Sequence, residues 1–301
     1  MAHRLLLIAG AAAVLALIPA AASAAAAPGR YTTIDVPGAA STIAVGVNDS
    51  GVVSGFYTDS SGNTHGFVDR DGRFTTIDVP GAADTILTVV NDHGVVVGYS
   101  IDGSGDAHGF VDRNGSFSTI NAPGAGPASG QGTFVANINN LSVLAGFYID
   151  SSGVQHGFID RDGRFTTIND PNAGTAPGQG TNVQYVNDLG EVTGSYTDSN
   201  GNSVAFAGPV GTFTTVSDPV APAFSSRTAA INDAGVIVGE WVDANGLFHG
   251  FIDRRGVFTP VEDPAGAEGT DITGISNRGV IVGFYTDSNA ANHGFVLSPA
   301  R

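Results

Sequence analysis

Six copies of one unit fill almost the whole chain, and nothing else in the sequence constrains its fold as strongly. Phe74-Thr75-Thr76-Ile77-Asp78-Val79-Pro80-Gly81-Ala82 has a close twin in Tyr31-Thr32-Thr33-Ile34-Asp35-Val36-Pro37-Gly38-Ala39, and weaker copies begin at Phe117, Phe165, Phe213 and Phe258. The repeats therefore start near 31, 74, 117, 165, 213 and 258, at intervals of 43, 43, 48, 48 and 45 residues. A second anchor, His-Gly-Phe, begins at His65, His108, His156, His249 and His293, with Val204-Ala205-Phe206 as a degenerate fourth copy. A third anchor is a glycine at Gly55, Gly98, Gly146, Gly194, Gly239 and Gly283. A period of this size means one supersecondary unit that buries its apolar faces only by stacking on its neighbours.

Within the second unit, four runs rich in Thr, Val, Ile and Phe (74–78, 85–90, 95–101 and 108–112) read as antiparallel strands. Asn91-Asp92-His93-Gly94 and Asp112-Arg113-Asn114-Gly115 are tight turns, with Gly or Asn available where φ must be positive. Only the connection after the Phe-Thr-Thr strand is long, as in 122–132 and 170–180. Three hairpins and one long return are the connectivity of a propeller blade. The expected fold is all-β: a six-bladed β-propeller of four-stranded antiparallel blades, residues 25–301 forming one domain. A parallel β-helix is the runner-up, and three hairpins per unit count against it. The chain opens with a lone outer-type strand at Tyr31 and ends with a third-type strand at His293, so the N-terminal strand should complete the last blade. Glycine within each second strand suggests a place where adjacent blades approach too closely for a side chain.

The His-Gly-Phe triplets and the Asn-Asp-x-Gly-x-Val-Val-Gly runs, as at Asn91–Gly98 and Asn232–Gly239, resemble the HAF-type extracellular repeat family, named for a His-Ala-Phe triplet. The resemblance covers about residues 31–298 and implies an exported repeat protein; it carries no catalytic residues. Departures are the Gly within the triplet, Val204 in place of His, and Asn140 and Ser142 in the third copy's turn. They leave the fold expectation intact and make the outer half of the fourth blade less regular.

His3 and Arg4, the apolar run Leu5–Ile18 and the small residues Ala22-Ser23-Ala24 read as a signal peptide over residues 1–24. The run is shorter than the roughly 20 residues that span a bilayer, and no later segment is long and apolar enough. The expected location is secreted or periplasmic, with no membrane span after cleavage. Once Arg4 is removed, 11 Arg and no Lys face 28 carboxylates, a net charge of −17. Nucleic acid is thus excluded as a partner, since phosphate binding needs a concentrated basic surface. Without Lys there is no Schiff-base chemistry, and without Cys no disulfide, thiol nucleophile or thiolate metal site.

The five triplet His lie on third strands, about 10 Å outside the innermost ones, too far apart to converge on one metal ion. Their expected role is packing, with ring nitrogens satisfied by neighbouring backbone. Asp59, Asp102, Asp150, Asp198, Asp243 and Asp287 end the second strands. They read as turn residues; calcium is the alternative, though no copy has the spacing of an EF-hand. Two positions earlier stand Tyr57, Tyr148, Tyr196, Trp241 and Tyr285, with Ser100 as the exception. Inter-blade packing is the favoured reading for these rings, and a platform for sugars is the other. Trp241 is singled out as the sole Trp.

No G-x-S-x-G and no H-E-x-x-H occurs, so no catalytic residue is nominated. The longest and most divergent segments are the outer-to-inner connections, and the rim that carries them is the candidate binding surface. The two largest end in matching Gly-Gln-Gly-Thr, which nominates Gln131 and Gln179 beside Trp241 as ligand-binding residues. The reading is a non-catalytic binding scaffold with no cofactor and an extracellular or periplasmic protein or glycan as partner. A secreted hydrolase or lyase acting on polysaccharide or peptide, and a self-associating structural protein, stay open as alternatives.

Overall fold

The structure is a computed structural model that describes residues 29–299, apart from 218, 220 and 223–225. The expected signal peptide lies outside the described residues. Six four-stranded antiparallel blades surround one axis, and the fold is a six-bladed β-propeller. Blade 2 shows the plan: inner strand Asp84–Val90, second strand Val96–Ile101, third strand Ala107–Arg113 and outer strand Ser116–Ile120. The first three lie within a residue or two of the sequence expectation, and the expected run 74–78 is the outer strand of blade 1, Arg73–Ile77. Blades 1 to 5 are built from consecutive chain. Blade 6 takes three strands from the C-terminal end and its outer strand, Gly29–Ile34, from the N-terminal end, with Tyr31 opposite Leu297 and Thr33 opposite Phe295. The last blade is closed as expected.

One Phe per blade, from the triplet, sits in the interior: Phe67, Phe110, Phe158, Phe206, Phe251 and Phe295 are all essentially inaccessible. Burying each stabilises by about 1.5–3 kcal/mol. The glycines behave differently from the sequence expectation. A Cβ on Gly55 would strike the Ile43 carbonyl and the Phe67 ring, both within its own blade, so crowding there comes from the inner strand and not from the next blade. The glycine that makes way for the next blade is the one inside the triplet. A Cβ on Gly66 would meet the Leu87 side chain of blade 2, and Gly109 meets Val135 of blade 3 in the same way. In blade 4 this position is Ala205, and the neighbour it faces is the smaller Thr228, whose hydroxyl bonds back to Gly194 and Phe206 of blade 4.

At one rim, the turns after the inner strands lock the blades together. Asn48, Asn91, Asn139, Asn187 and Asn232 each donate a side-chain N–H to the carbonyl of the corresponding residue one blade on, at 3.0–3.2 Å. One residue later, the backbone N–H of each turn donates to the side-chain oxygen of the next, through Asp49, Asp92, Asn140, Asp188, Asp233 and Asn277 and back to Asp49. That second circle is complete. Behind it lies an open axial cavity of about 40 Å³, and Tyr185 packs across the axis against the clusters of both flanking halves of the ring. A cavity of this size holds water and not a ligand. The outer strand of blade 4 is cut to Thr214–Thr215, matching the irregularity expected there.

Candidate functional site

The opposite rim carries the long connections and a repeated cluster of chemistry-bearing side chains. Each second strand ends on an Asp, and the third strand returns to place its His on the same face, because residues paired across antiparallel strands share a face. In blade 1, Tyr57 pairs with His65 and their rings stack, with centroids 5.2 Å apart. His65 Nδ1 lies 2.9 Å from Asp78, just after the outer strand, and its Nε2 lies 3.5 Å from Asp59. The same cluster recurs as Tyr148 on His156, Trp241 on His249 and Tyr285 on His293, with centroid distances of 4.9, 4.3 and 5.1 Å. Four blades therefore hold a complete aromatic–His–acid cluster. Blade 2 keeps His108 but has Ser100 where the ring would stand, and blade 4 keeps Tyr196 and Asp198 but has Val204 in place of His.

The expectation that backbone satisfies the imidazoles is corrected here: both ring nitrogens face side chains. Nε2 meets the Asp that ends the second strand, and Nδ1 meets the residue after the outer strand, which is Asp78, Asn121, Asn169, Glu262 or Asp35. Carboxylates only accept hydrogen bonds, so where acids hold both nitrogens the pairing favours the doubly protonated ring. Burial lowers the His65 pKa, but Asp78 and Asp59 outweigh it and hold the value above that of a free imidazole. His293 is raised in the same way by Asp35 and Asp287.

The recurring Asp have two jobs. Asp59 Oδ1 accepts the backbone N–H of Ser61 and Asn63, while its Oδ2 faces Asn63 and His65. The same turn geometry holds at Asp102, Asp150, Asp198, Asp243 and Asp287. Backbone N–H donation heads the causes that pull Asp59 down to about 2. Among the described residues, no group of three or more His, Asp or Glu is arranged to hold a metal ion. Each clustered ring stacks on its His and also packs in an inter-blade cluster, as for Tyr57, Tyr148 and Trp241, and the Tyr57 hydroxyl also bonds the Thr76 hydroxyl.

Gln131 and Gln179 stand on this rim, half-buried, and their amide oxygens turn inward. Gln131 Oε1 accepts the backbone N–H of Ala128, and Gln179 Oε1 that of Ala176. Their carbonyls accept N–H groups of Ala107 and Gln155, tying each long connection to the blade before it. The two connections flank one turn: Gly126 donates to Ile149 on one side of it, and Gly178 to Gly153 on the other. Of the three nominated residues, Trp241 belongs to a ring cluster, while the two Gln brace loops. The His and their outer-strand acids were not nominated. The signal for them was present in the Asp two residues after each aromatic, but the partner 13 residues on becomes visible only through strand register.

No family model matches the sequence, and no curated protein does. Among solved structures, the fold is similar to that of a fungal lectin from Aleuria aurantia, described by its six-bladed β-propeller fold and a novel fucose recognition mode. The TM-score is 0.50 at 13% identity, over 87% of this chain and 96% of that one. A mutant of the same lectin in complex with α-methyl-L-fucoside gives 0.50 at 12% identity, with the same coverage. AofleA from Arthrobotrys oligospora gives 0.51 at 12% identity, over 90% of this chain and 83% of that one. At this level of identity the likeness concerns the fold.

Proposed function

We propose that this chain is an exported, non-catalytic scaffold that binds glycans through the rim carrying the long connections. The observation that carries the reading is the array of aromatic–His–acid clusters at equivalent places on one rim, in three of which the ring, Tyr57, Tyr148 or Trp241, is half-buried, while Tyr285 in the fourth is buried. An aromatic ring offers a face to the C–H side of a sugar, and carboxylates beside it accept hydrogen bonds from hydroxyls. Asp78 and Asp35 are well placed for this, with side chains 44% and 46% exposed. Repetition round a rigid ring makes weak single sites act together on a multivalent ligand. The lectin neighbours, one described by its fucose recognition, and the resemblance to HAF-type extracellular repeats support the same reading.

The test is calorimetric titration of the full chain with α-methyl-L-fucoside and with the methyl glycosides of galactose, mannose and N-acetylglucosamine. One of these is expected to bind at several sites per chain, and the triple variant Tyr57→Ala, Tyr148→Ala, Trp241→Ala is expected to lose most of those sites. Binding that keeps its full stoichiometry in the triple variant, or no binding by any of the four, overturns the reading.

A further inference from the structure

The repeat departs from itself on the rim of the asparagine turns, over blades 3 to 5. The third residue of the turn is Ser50, His93, Ala234 or Arg278 in four blades, but Leu141 in blade 3 and Leu189 in blade 4, 68% and 70% exposed. The hairpin between third and outer strands reads Asp69-Arg70-Asp71-Gly72-Arg73 in blade 1, whereas blade 4 has Gly208-Pro209-Val210-Gly211-Thr212 and no charge. Blade 5 has Val257 at the last of these places. Leu141, Leu189, Val210 and Val257 are the exposed large apolar side chains among the described residues, and all four stand at turns of this one rim.

Arginine is segregated to the same rim. Every described Arg except Arg227 lies there, exposed. Two pairs flank the uncharged hairpin of blade 4: Arg161 and Arg164, directly opposite each other on blade 3, and Arg254 with Arg255 on blade 5. Like charges set opposite each other repel, and among the described residues none of these four has a hydrogen-bond or ion-pair partner. The acids nearby are engaged elsewhere. Asp160 and Asp253 are buried beneath the hairpins, Asp188 and Asp233 accept backbone N–H groups in the circle of turns, and Glu191 accepts the Asn187 amide. Among the described residues of this sector, Asp162 alone is an exposed acid.

A partner for this sector has to be apolar and anionic together. A second copy fits poorly: face to face about blade 4, Arg161 and Arg164 would meet Arg254 and Arg255, and among the described residues no other face offers large apolar side chains to cover Leu141 and Leu189. We propose that this sector docks on a lipid bilayer surface that bears anionic headgroups. Guanidinium forks take the phosphate oxygens, and the Leu and Val tips enter the boundary between headgroups and acyl chains. The tips stand singly at separate turns, an arrangement that suits a plane better than a helix or strand seated in a groove. Each Arg held near an anionic leaflet strengthens binding about fivefold at low salt. The loop-bearing rim and its aromatic–His–acid clusters then face away from the bilayer. The proposal does not depend on the glycan reading.

Sedimentation of the full chain with vesicles tests it, one set made of phosphatidylcholine alone and one of phosphatidylcholine mixed with phosphatidylglycerol. The chain is expected to sediment with the mixed vesicles and not with the first. Arg161→Gln, Arg164→Gln, Arg254→Gln and Arg255→Gln together are expected to weaken binding by about tenfold or more, and Leu141→Ser with Leu189→Ser to weaken it at unchanged lipid charge. These six side chains are exposed, so both variants are expected to melt as the wild type does; Val210→Ser with Val257→Ser replaces the Leu pair if that variant fails to fold. No sedimentation with the mixed vesicles, or sedimentation that neither kind of substitution weakens, overturns the proposal. Loss in the Arg variant alone overturns it as well, because the face then binds anions without an apolar contribution.

Discussion

The circle of turn asparagines has one gap, and filling it should stabilise the protein. In five blades the turn Asn uses its oxygen to accept two backbone N–H groups and its amide to reach the next blade; Asn139, for example, accepts from Leu141 and Val143 and donates to the Asn187 carbonyl at 3.0 Å. In blade 6 the residue is Ser276, which accepts one N–H, from Val280 at 3.3 Å, and cannot span the distance to Asn48 of blade 1. Ser276→Asn adds one accepted bond and one inter-blade donation. At about 1 kcal/mol each, less the cost of ordering a longer side chain, the net gain is about 1–2 kcal/mol. Ser276→Asp supplies the acceptor without the donor, so the difference between the two variants isolates the inter-blade bond. Urea denaturation of wild type and both variants measures it. The expected order is Asn above Asp by about 1 kcal/mol. Equal stabilities, or a loss in Ser276→Asn, would refute the reasoning that blades 6 and 1 meet as every other pair does.

Two further outcomes follow from the same geometry. Deleting residues 29–36 removes the outer strand of blade 6 and the Tyr31 ring packed on Phe295 at 5.4 Å; hydrogen exchange at Phe295 and Val296 should accelerate and the protein should associate through the bared edge, whereas unchanged protection there would contradict closure by the N-terminal strand. Asp78→Asn should lower the His65 pKa in an NMR titration: because the folded value is raised, the stability from this pair is fully present below the unfolded pKa and lost as pH rises through the folded one, so the variant's deficit should be largest in acid and vanish in alkali. A deficit that grows with pH would show that the pair is held by something other than charge.

What the sequence determined by itself is the part of the structure that depends on near neighbours. Asn91-Asp92-His93-Gly94 dictates a tight turn because its side-chain oxygen meets N–H groups two and four residues away, and the β-branched runs between such turns have no other use than strands. Ring closure was also legible, because a chain that begins on an outer strand and ends on a third strand leaves one vacancy and one strand to fill it. The partners of the side chains were decided only by tertiary structure. His65 meets Asp78 because the register of two strands sets them side by side, and the Asn91 amide reaches a residue 48 positions on because adjacent blades stack. The same packing turned the Gln131 and Gln179 amides into their own loops and moved the role of inter-blade spacer from Gly55 to Gly66. Local pattern fixes which backbone shape a segment takes, but which side chains meet depends on register and inter-blade distance, and these are set by the close packing of all six blades around the axis.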